Sequence, residues 1–170
     1  MPLKIGLISD SHGYLDHTTL KHLAEVDEIW HAGDVGEVSI LNYLPKEKPL
    51  RGVYGNIDDA KVQERFPEWL EFSVEGVRVL MTHIGGKPPR YAKGVKERIK
   101  NSRPHLFICG HSHICKVEMD RELNCLYMNP GAVGQQGFHP MRTLLLFDLD
   151  QGKISNLRVV ELGKRGVIKT

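Results

Sequence analysis

Residues 3–12 of the chain are LKIGLISDSH, and the rest of the predicted fold follows from this stretch. Its first seven positions are mostly large and apolar, which is typical of a strand that is buried on both faces. The apolar run stops at Asp10, and His12 follows two positions later. We therefore expect a buried strand whose carboxyl end carries a carboxylate and an imidazole.

Outward from this strand, the first third of the chain alternates between strand-like and helix-like segments. Helices are predicted at 17–25 and 37–44, and strands at 28–32 and 50–54. This β-α-β-α-β order favours a largely parallel sheet with right-handed crossovers.

The remaining sequence is richer in strands. A hairpin is predicted over 69–82 and a helix over 91–102. Further strands are predicted at 105–109, 115–119, 125–128, 142–149 and 154–161. We expect an α/β fold with two sheets packed face to face and helices outside. We also expect one domain over residues 1–170, with a tail at 163–170 that frays.

Composition excludes several classes of protein. Hydrophobic residues make up 41% of the 170 positions and charged residues 26%, which argues against a disordered chain. A net charge of +2 is too small to indicate a nucleic-acid or membrane partner by itself. No apolar run approaches the ~18 residues of a membrane span, and the first one is too short for a signal peptide. Three cysteines without a C-x-x-C pair favour a reduced, cytoplasmic setting.

Five short polar motifs follow predicted strands, at intervals of roughly one strand and its connection. They are Asp10-Ser11-His12, Gly33-Asp34, Gly55-Asn56, Thr82-His83 and Gly110-His111-Ser112-His113. Each motif alone is weak evidence, because a single aspartate or histidine at a strand end usually has a structural role. Residues just beyond the carboxyl ends of strands gather in one crevice of an open α/β sheet. We therefore expect these side chains to converge.

The chemistry of the set indicates metals. It contains two carboxylates, one carboxamide and four imidazoles but no thiolate, which suits Mn²⁺, Fe²⁺, Ni²⁺ or Zn²⁺. Seven ligand residues exceed what one metal normally binds, so a two-metal site with a bridging carboxylate is the more natural arrangement. Two divalent cations outweigh two carboxylates in charge, so such a site would attract anions, and phosphate esters above all.

In this order, D-x-H, G-D, G-N, H and G-H-x-H resemble the calcineurin-like metallophosphoesterase superfamily. The short chain and the motif Asn129-Pro130-Gly131 resemble its small single-domain phosphodiesterases from bacteria and archaea. These share their fold with the retromer scaffold subunit. The resemblance implies a four-layer α-β-β-α sandwich of two mixed sheets flanked by helices.

The resemblance also implies the roles of the motif residues. Two ligand sets and a bridge are expected: Asp10, His12 and His113 for one metal, Asn56, His83 and His111 for the other, and Asp34 between them. A hydroxide that bridges the metals would attack phosphorus in line, with no protein nucleophile. We expect Mn²⁺, with Ni²⁺, Fe²⁺ or Zn²⁺ as alternatives.

Four further residues lie near the motifs or could enter the site. Ile57 stands where many superfamily members carry a histidine, and it cannot protonate a leaving group. Asp58 and His31 are candidates for orienting metal-bound groups. The alternative for Asp58 is a residue that forms the turn, and the alternative for His31 is a histidine packed at a strand end. His139 precedes Pro140, and we expect it at the surface rather than in the site.

The sequence thus predicts a metal-dependent phosphodiesterase that acts on a small phosphodiester or nucleotide-like substrate. One alternative is a non-catalytic scaffold that resembles the retromer subunit. Another is a nuclease that uses the basic segment 87–103, although we expect that segment to be a solvated helix face. Nucleic acid is not the favoured partner, no membrane contact is expected, and a homo-oligomer is left open.

Overall fold

The computed structural model describes residues 1–166, in which strands dominate over helices. The strands are β1 (Leu3–Ile8), β2 (Glu28–His31), β3 (Leu50–Gly52), β4 (Trp69–Val74), β5 (Val77–Thr82), β6 (Gly86–Lys87), β7 (Arg90–Tyr91), β8 (Leu106–Ile108), β9 (Cys115–Asp120), β10 (Cys125–Pro130), β11 (Met141–Asp150) and β12 (Lys153–Lys164). The helices are α1 (His17–Leu23), α2 (Ala60–Arg65), α3 (Val95–Ser102) and a 3₁₀ helix (Val38–Tyr43). None of the helices in this part of the chain is both long and apolar enough to span a membrane.

Two five-stranded mixed sheets form the centre of residues 1–166. The first has the order β12-β11-β1-β2-β3, in which β1, β2 and β3 pair in parallel and β11 pairs antiparallel with both β1 and β12. The second has the order β4-β5-β8-β10-β9, with parallel pairs at its centre and antiparallel pairs at both edges. The expected mixed sheets are therefore confirmed. Strands β6 and β7 form a separate two-residue hairpin.

The layers follow from the alternation of side chains along the strands. On β5, Val79 and Met81 lie in a cluster shared with Ile5 and Leu7 of the other sheet, whereas Leu80 faces away. Leu80 packs with Ile99 of α3, and Leu23 of α1 packs on the outer face of the first sheet. Because side chains alternate between the faces of a strand, each sheet buries one face against its partner and the other against helices.

Sequence and structure differ at the helices. The helix predicted at 37–44 is a 3₁₀ turn whose β-branched Val38 and Ile40 favour helix weakly. The helix α2 was not predicted, although Asp59 caps its amino end by accepting from Val62 N–H. The predicted helix 91–102 begins only at Val95, because the preceding residues belong to the β6–β7 hairpin.

The carboxyl-terminal strand is longer than expected. Residues Gly163 and Lys164 pair with Arg142 and Met141 in β11, so the prediction of a frayed tail is wrong at these two positions. The rest of that predicted tail includes residues 167–170, which lie outside the described residues. The single-domain assignment over residues 1–170 stays a prediction.

The indole of Trp30 joins the two sheets. It is fully buried on β2, packs edge-to-face against Phe147 of its own sheet and Phe72 of the other, and donates to Glu28 at 2.9 Å. Large aromatic side chains between layers contribute heavily to the free energy of unfolding.

We therefore expect Trp30→Ala to lower the free energy of unfolding by ~3–5 kcal/mol, since it leaves a cavity between the sheets. Chemical denaturation monitored by circular dichroism measures this loss. Leu157→Ala, at a 38% exposed position on β12, serves as the control and should change stability by less than ~0.5 kcal/mol. Equal stability of the two variants would contradict the role given to Trp30.

Candidate metal centre

The parallel strands of both sheets end at a common edge, where six of the seven predicted ligands converge. Two groups have donor atoms that all lie within 4.8 Å of one another: Asp10, His12 and His113, and Asp34, His83 and His111. Each group takes residues from both sheets. Asn56 is exposed in the loop after β3, next to Ile57, whose N–H donates to Asp34 at 3.1 Å.

The carboxylate of Asp34 lies between the two groups. Its Oδ2 is 3.4 Å from His12 Nε2 in the first group and 3.2 Å from His83 Nε2 in the second. Its Oδ1 accepts a hydrogen bond from the N–H of Ile57. One oxygen is thus fixed by the backbone, and the other faces both groups, which is the arrangement that a bridging ligand requires.

Asp10 is oriented in the same way. Its Oδ2 accepts from Ser9 Oγ at 2.7 Å and from the N–H of His111 at 3.0 Å. Its Oδ1 lies 3.1 Å from His113 Nε2. The side chain is fully buried, so this second oxygen has little access to water.

Unsatisfied polar atoms provide a test of whether a metal fits here. In residues 1–166, four buried side-chain nitrogen or oxygen atoms have no hydrogen-bond partner, and three of them are Asp10 Oδ1, His12 Nε2 and His83 Nε2. Burial of such atoms without a partner is costly. All three belong to the two groups and are of the types that ligate borderline divalent cations. The residues present therefore fit a metal centre.

Backbone and side-chain acceptors select the tautomers of two imidazoles. His83 Nδ1 donates to the carbonyl oxygen of Ala32 at 2.8 Å, which leaves the Nε2 lone pair facing Asp34. His113 Nδ1 lies 3.1 Å from Nδ1 of His139, whose Nε2 donates to the carbonyl oxygen of Gly134 at 3.0 Å. Since the neutral ring of His139 then accepts at Nδ1, His113 donates there and keeps its Nε2 lone pair free.

His139 is thus a residue that sequence reasoning misplaced. It was expected at the surface but is only 5% exposed, and the prediction is wrong because the loop after β10 folds back over His113. Burial lowers the pKa of His139, which favours the neutral ring that this contact needs. No local sequence pattern indicates the contact, because the two histidines are far apart in the chain.

Without metals, the site binds protons instead. Burial alone would raise the pKa of Asp10 and of Asp34, but the neighbouring imidazoles, which are positively charged when protonated, hold both pKa values well below their usual range. The nearby carboxylates of Asp10 and Asp34 raise the pKa of His12 to about 9. Burial opposes charge on His83, yet the carboxylates of Asp34 and Asp10 raise its pKa. Metals and protons therefore compete for the same lone pairs.

Five of the seven motif ligands have a left-handed backbone, with φ between 45° and 72°. They are Asp10, His12, Asp34, His111 and His113. Such conformations are uncommon for residues other than glycine and cluster at functional sites. The glycines of the motifs have a steric role, since a Cβ at Gly55 would overlap the Asp34 carboxylate and one at Gly110 would overlap the Ser9 hydroxyl.

Asp58 and His31 support the loops rather than an imidazole. Asp58 accepts from the N–H groups of Val35 at 3.1 Å, Gly36 at 2.9 Å and Gly55 at 2.8 Å, and so joins the loops that carry Asp34 and Asn56. It makes no hydrogen bond to a histidine among the described residues, which differs from the orienting role considered for it.

His31 is fully buried behind the loop from Asp10 to His12. Its Nδ1 accepts from Gly33 N–H at 3.1 Å, so its Nε2 donates to Ser11 Oγ at 2.8 Å. Ser11 in turn donates to the carbonyl oxygen of Val35 at 3.0 Å. The imidazole therefore fixes this loop without touching a motif ligand directly.

Two further residues were not assigned a role from the sequence. Ser9 donates to Asp10, as described above. Asn129 is buried and donates to the carbonyl oxygen of Gly110 at 3.0 Å and to Ser112 Oγ at 3.1 Å, so it shapes the loop of His111 and His113. In the sequence, the motif Asn129-Pro130-Gly131 indicated only the resemblance to the small single-domain phosphodiesterases.

The basic segment divides into two parts. Lys87 and Arg90 lie beside His111, in a cleft next to the site. On α3, Lys96 pairs with Glu122 at 2.8 Å, Lys100 lies 3.9 Å from Glu97, and Arg98 stacks over Trp69. The helical part of the segment is therefore largely engaged in surface contacts.

Comparison with known proteins gives a family and a relative. A family model described as the calcineurin-like phosphoesterase superfamily domain matches residues 3–152. Over 135 residues the chain is 30% identical to a probable metallophosphoesterase of Methanocaldococcus jannaschii, and the match covers 75% of this chain and 67% of that protein.

Solved structures with the same fold include an archaeal phosphodiesterase and Vps29. An archaeal phosphodiesterase is 19% identical with a TM-score of 0.73, over 94% of this chain and 100% of that one. Vps29 of Chaetomium thermophilum is 15% identical with a TM-score of 0.71, over 94% and 95% of the two chains. At these identities, the likeness shows the fold alone.

We expect His139→Ala to weaken metal binding by ~10–100-fold, because His113 loses the partner that fixes its ring. Calorimetric titration of metal into chelator-treated protein measures the affinity, and circular dichroism verifies that the variant folds. His17→Ala, at an exposed position of α1, is the matched control and should bind metal like the wild type. Wild-type affinity in folded His139→Ala would disprove the positioning role.

His31 should make stability depend on pH. Burial lowers its pKa from 6.5 to about 4 in the folded protein. As the pH falls below 6.5, the unfolded chain binds a proton that the folded protein does not, so the stability linked to His31 is complete above pH 6.5 and lost towards pH 4.

The loss attributable to His31 amounts to about 3 kcal/mol. We expect the free energy of unfolding of chelator-treated wild type to fall more steeply over this range than that of His31→Gln, as measured by urea denaturation. His17→Gln should keep the wild-type slope. Identical slopes for wild type and His31→Gln would show that His31 does not titrate as described.

Proposed function

The chain belongs to the calcineurin-like phosphoesterase superfamily, as its motifs predicted, and we propose that it is a metal-dependent phosphodiesterase. The observation that carries the proposal is the convergence of two donor groups on Asp34, with buried acceptor atoms that lack partners. A site without metals would have no evident reason to keep those atoms unsatisfied.

We assign one metal to Asp10, His12 and His113 and the other to Asn56, His83 and His111, with Asp34 as the bridge. Two bound divalent metals would activate the attacking water and stabilise the negative charge that develops on the phosphoryl oxygens. The protein holds the ligands for them in advance: backbone N–H groups fix one oxygen of each carboxylate, and Ala32 and His139 fix two imidazoles. Mn²⁺ is the proposed metal, with Ni²⁺, Fe²⁺ and Zn²⁺ as alternatives.

The side chain of Ile57 limits the chemistry of the leaving group. Its backbone N–H serves Asp34, while its side chain is 45% exposed at the rim of the site. An alkyl group cannot donate a proton, and general acid catalysis is typically worth ~10²–10⁴-fold. We therefore propose that the enzyme acts best on diesters whose leaving group departs readily without protonation.

A scaffold function is the alternative, because Vps29 has the same fold. Against it stand the seven motif positions, all of which carry metal-binding residue types, and the buried donor atoms without hydrogen-bond partners at three of them. A metal ion would satisfy these atoms, whereas a scaffold has no need of them.

The test is hydrolysis of bis(p-nitrophenyl) phosphate by chelator-treated protein before and after addition of Mn²⁺. We expect activity only after the metal is restored, and a loss of at least ~100-fold in Asp34→Asn, because the bridge is weakened. Asp150→Asn, at the far end of β11, is the matched control. Folded, metal-loaded wild type that hydrolyses no diester would favour the scaffold, and full activity in Asp34→Asn would exclude the proposed bridge.

A further inference from the structure

A cleft of about 480 Å³ opens next to His111 and is not used by the metal centre. Its volume lies in the ~300–1,000 Å³ range of ligand pockets. The β6–β7 hairpin forms one wall and the start of β9 the other, with Gly110 and Tyr127 between them. We call it the hairpin cleft.

The strand order places the proposed metal ligand His111 in the hairpin cleft. In the second sheet, β8 and β10 lie between β9 and β5, the strand that precedes the hairpin. His111 follows β8 and lies between the walls. A ligand in the hairpin cleft would therefore be continuous with a phosphate at the metal centre.

One wall carries positive charge that the protein does not neutralise. Lys87 and Arg90 are exposed and face each other across the β6–β7 hairpin, and among the described residues no carboxylate lies within 4.0 Å of either. Lys116 on the opposite wall lies 3.7 Å from Glu118 and is partly compensated. The hairpin wall is therefore suited to an anion.

The hairpin that carries these two cations is held in place. Tyr127 Oη donates to the carbonyl oxygen of Gly86 at 2.6 Å, and Ala92 N–H donates to that of Gly85 at 2.9 Å. Tyr91 Oη donates to Asp120 of β9 at 2.5 Å. Cations on a fixed support lose less entropy when they bind a ligand than cations on a mobile loop.

Two isoleucines supply apolar surface at the entrance to the hairpin cleft. Ile84 is 45% exposed and Ile114 is 62% exposed. Ile84 follows β5 and Ile114 precedes β9, so they stand on opposite walls. Exposed apolar side chains that flank a pocket are suited to a flat group with apolar faces, such as a nucleobase.

We infer that the hairpin cleft binds one ester arm of the substrate, and that this arm is a nucleoside with a second phosphate, as in a short oligonucleotide. The inference rests on the proposed phosphodiesterase activity. The reacting phosphate would lie at the metal centre, the nucleoside between Ile84 and Ile114, and the second phosphate against Lys87 and Arg90. Simple diesters would leave the two cations unpaired.

A matched pair of substrates tests this. Thymidine 5′-(p-nitrophenyl phosphate) is compared with the same compound bearing a 3′-phosphate, which differs only by the second anion. We expect the 3′-phosphate to raise kcat/KM roughly tenfold in the wild type, mainly through KM. The preference should weaken with added salt, because the cations are exposed.

The K87A/R90A double variant should lose this preference. K153A is the control because it removes an exposed lysine at the other end of the first sheet, where β12 begins, and it should keep the preference. A preference that is absent in the wild type, or that survives in the double variant, would overturn the inference.

A binding measurement distinguishes this inference from the proposed function. The affinities of metal-loaded protein for thymidine 3′,5′-bisphosphate and thymidine 5′-monophosphate are compared by calorimetry. If no diester is hydrolysed but the bisphosphate binds roughly tenfold more tightly, and only with Lys87 and Arg90 present, the enzyme proposal fails and the cleft assignment stands. Equal affinities in all proteins would reject the cleft assignment even if diesters are hydrolysed.

Discussion

The N–H of His111 donates to the carboxylate of Asp10 across the boundary between the two sheets, and the site depends on this contact. Asp10 follows β1 of the first sheet and His111 follows β8 of the second. Both donor groups combine residues from the two sheets, so neither sheet alone contains a site. The packing that brings the sheets together, including the buried indole of Trp30, therefore also sets the distances between ligands.

The convergence of the ligands could be predicted because topology determines it. Asp10, Asp34, His83 and the histidines of the last motif each follow a strand, and parallel strands end at the same edge. Supporting contacts could not be predicted in the same way. His139 reaches His113 through the path of a loop, and Lys96 and Arg98 of α3 contact Glu122 and Trp69 through tertiary packing. Local patterns do not encode such contacts.

The helices show the same limit. Asp59 is a good N-cap, but α2 is too short to display a clear 3.6-residue periodicity. At 37–44 the apolar spacing was helical, yet weak propensity and Pro45 leave only a 3₁₀ turn. These two elements are decided by their tertiary surroundings, whereas β1, which is equally short, is indicated by its own apolar run.

The five ligands with a left-handed backbone are constrained in two ways, by their backbone conformation and by metal binding. Asp, Asn and His are the residue types other than glycine that occupy this conformation most readily, and Asp and His are also the types that bind metals. A descendant that no longer bound metals would still have a reason to keep small polar residues there. His83 and Asn56 are not among the positions of positive φ, so the backbone conformation does not restrict the residue type there in the same way. In comparisons among relatives, we expect a change from enzyme to scaffold to appear first as substitutions at these two positions.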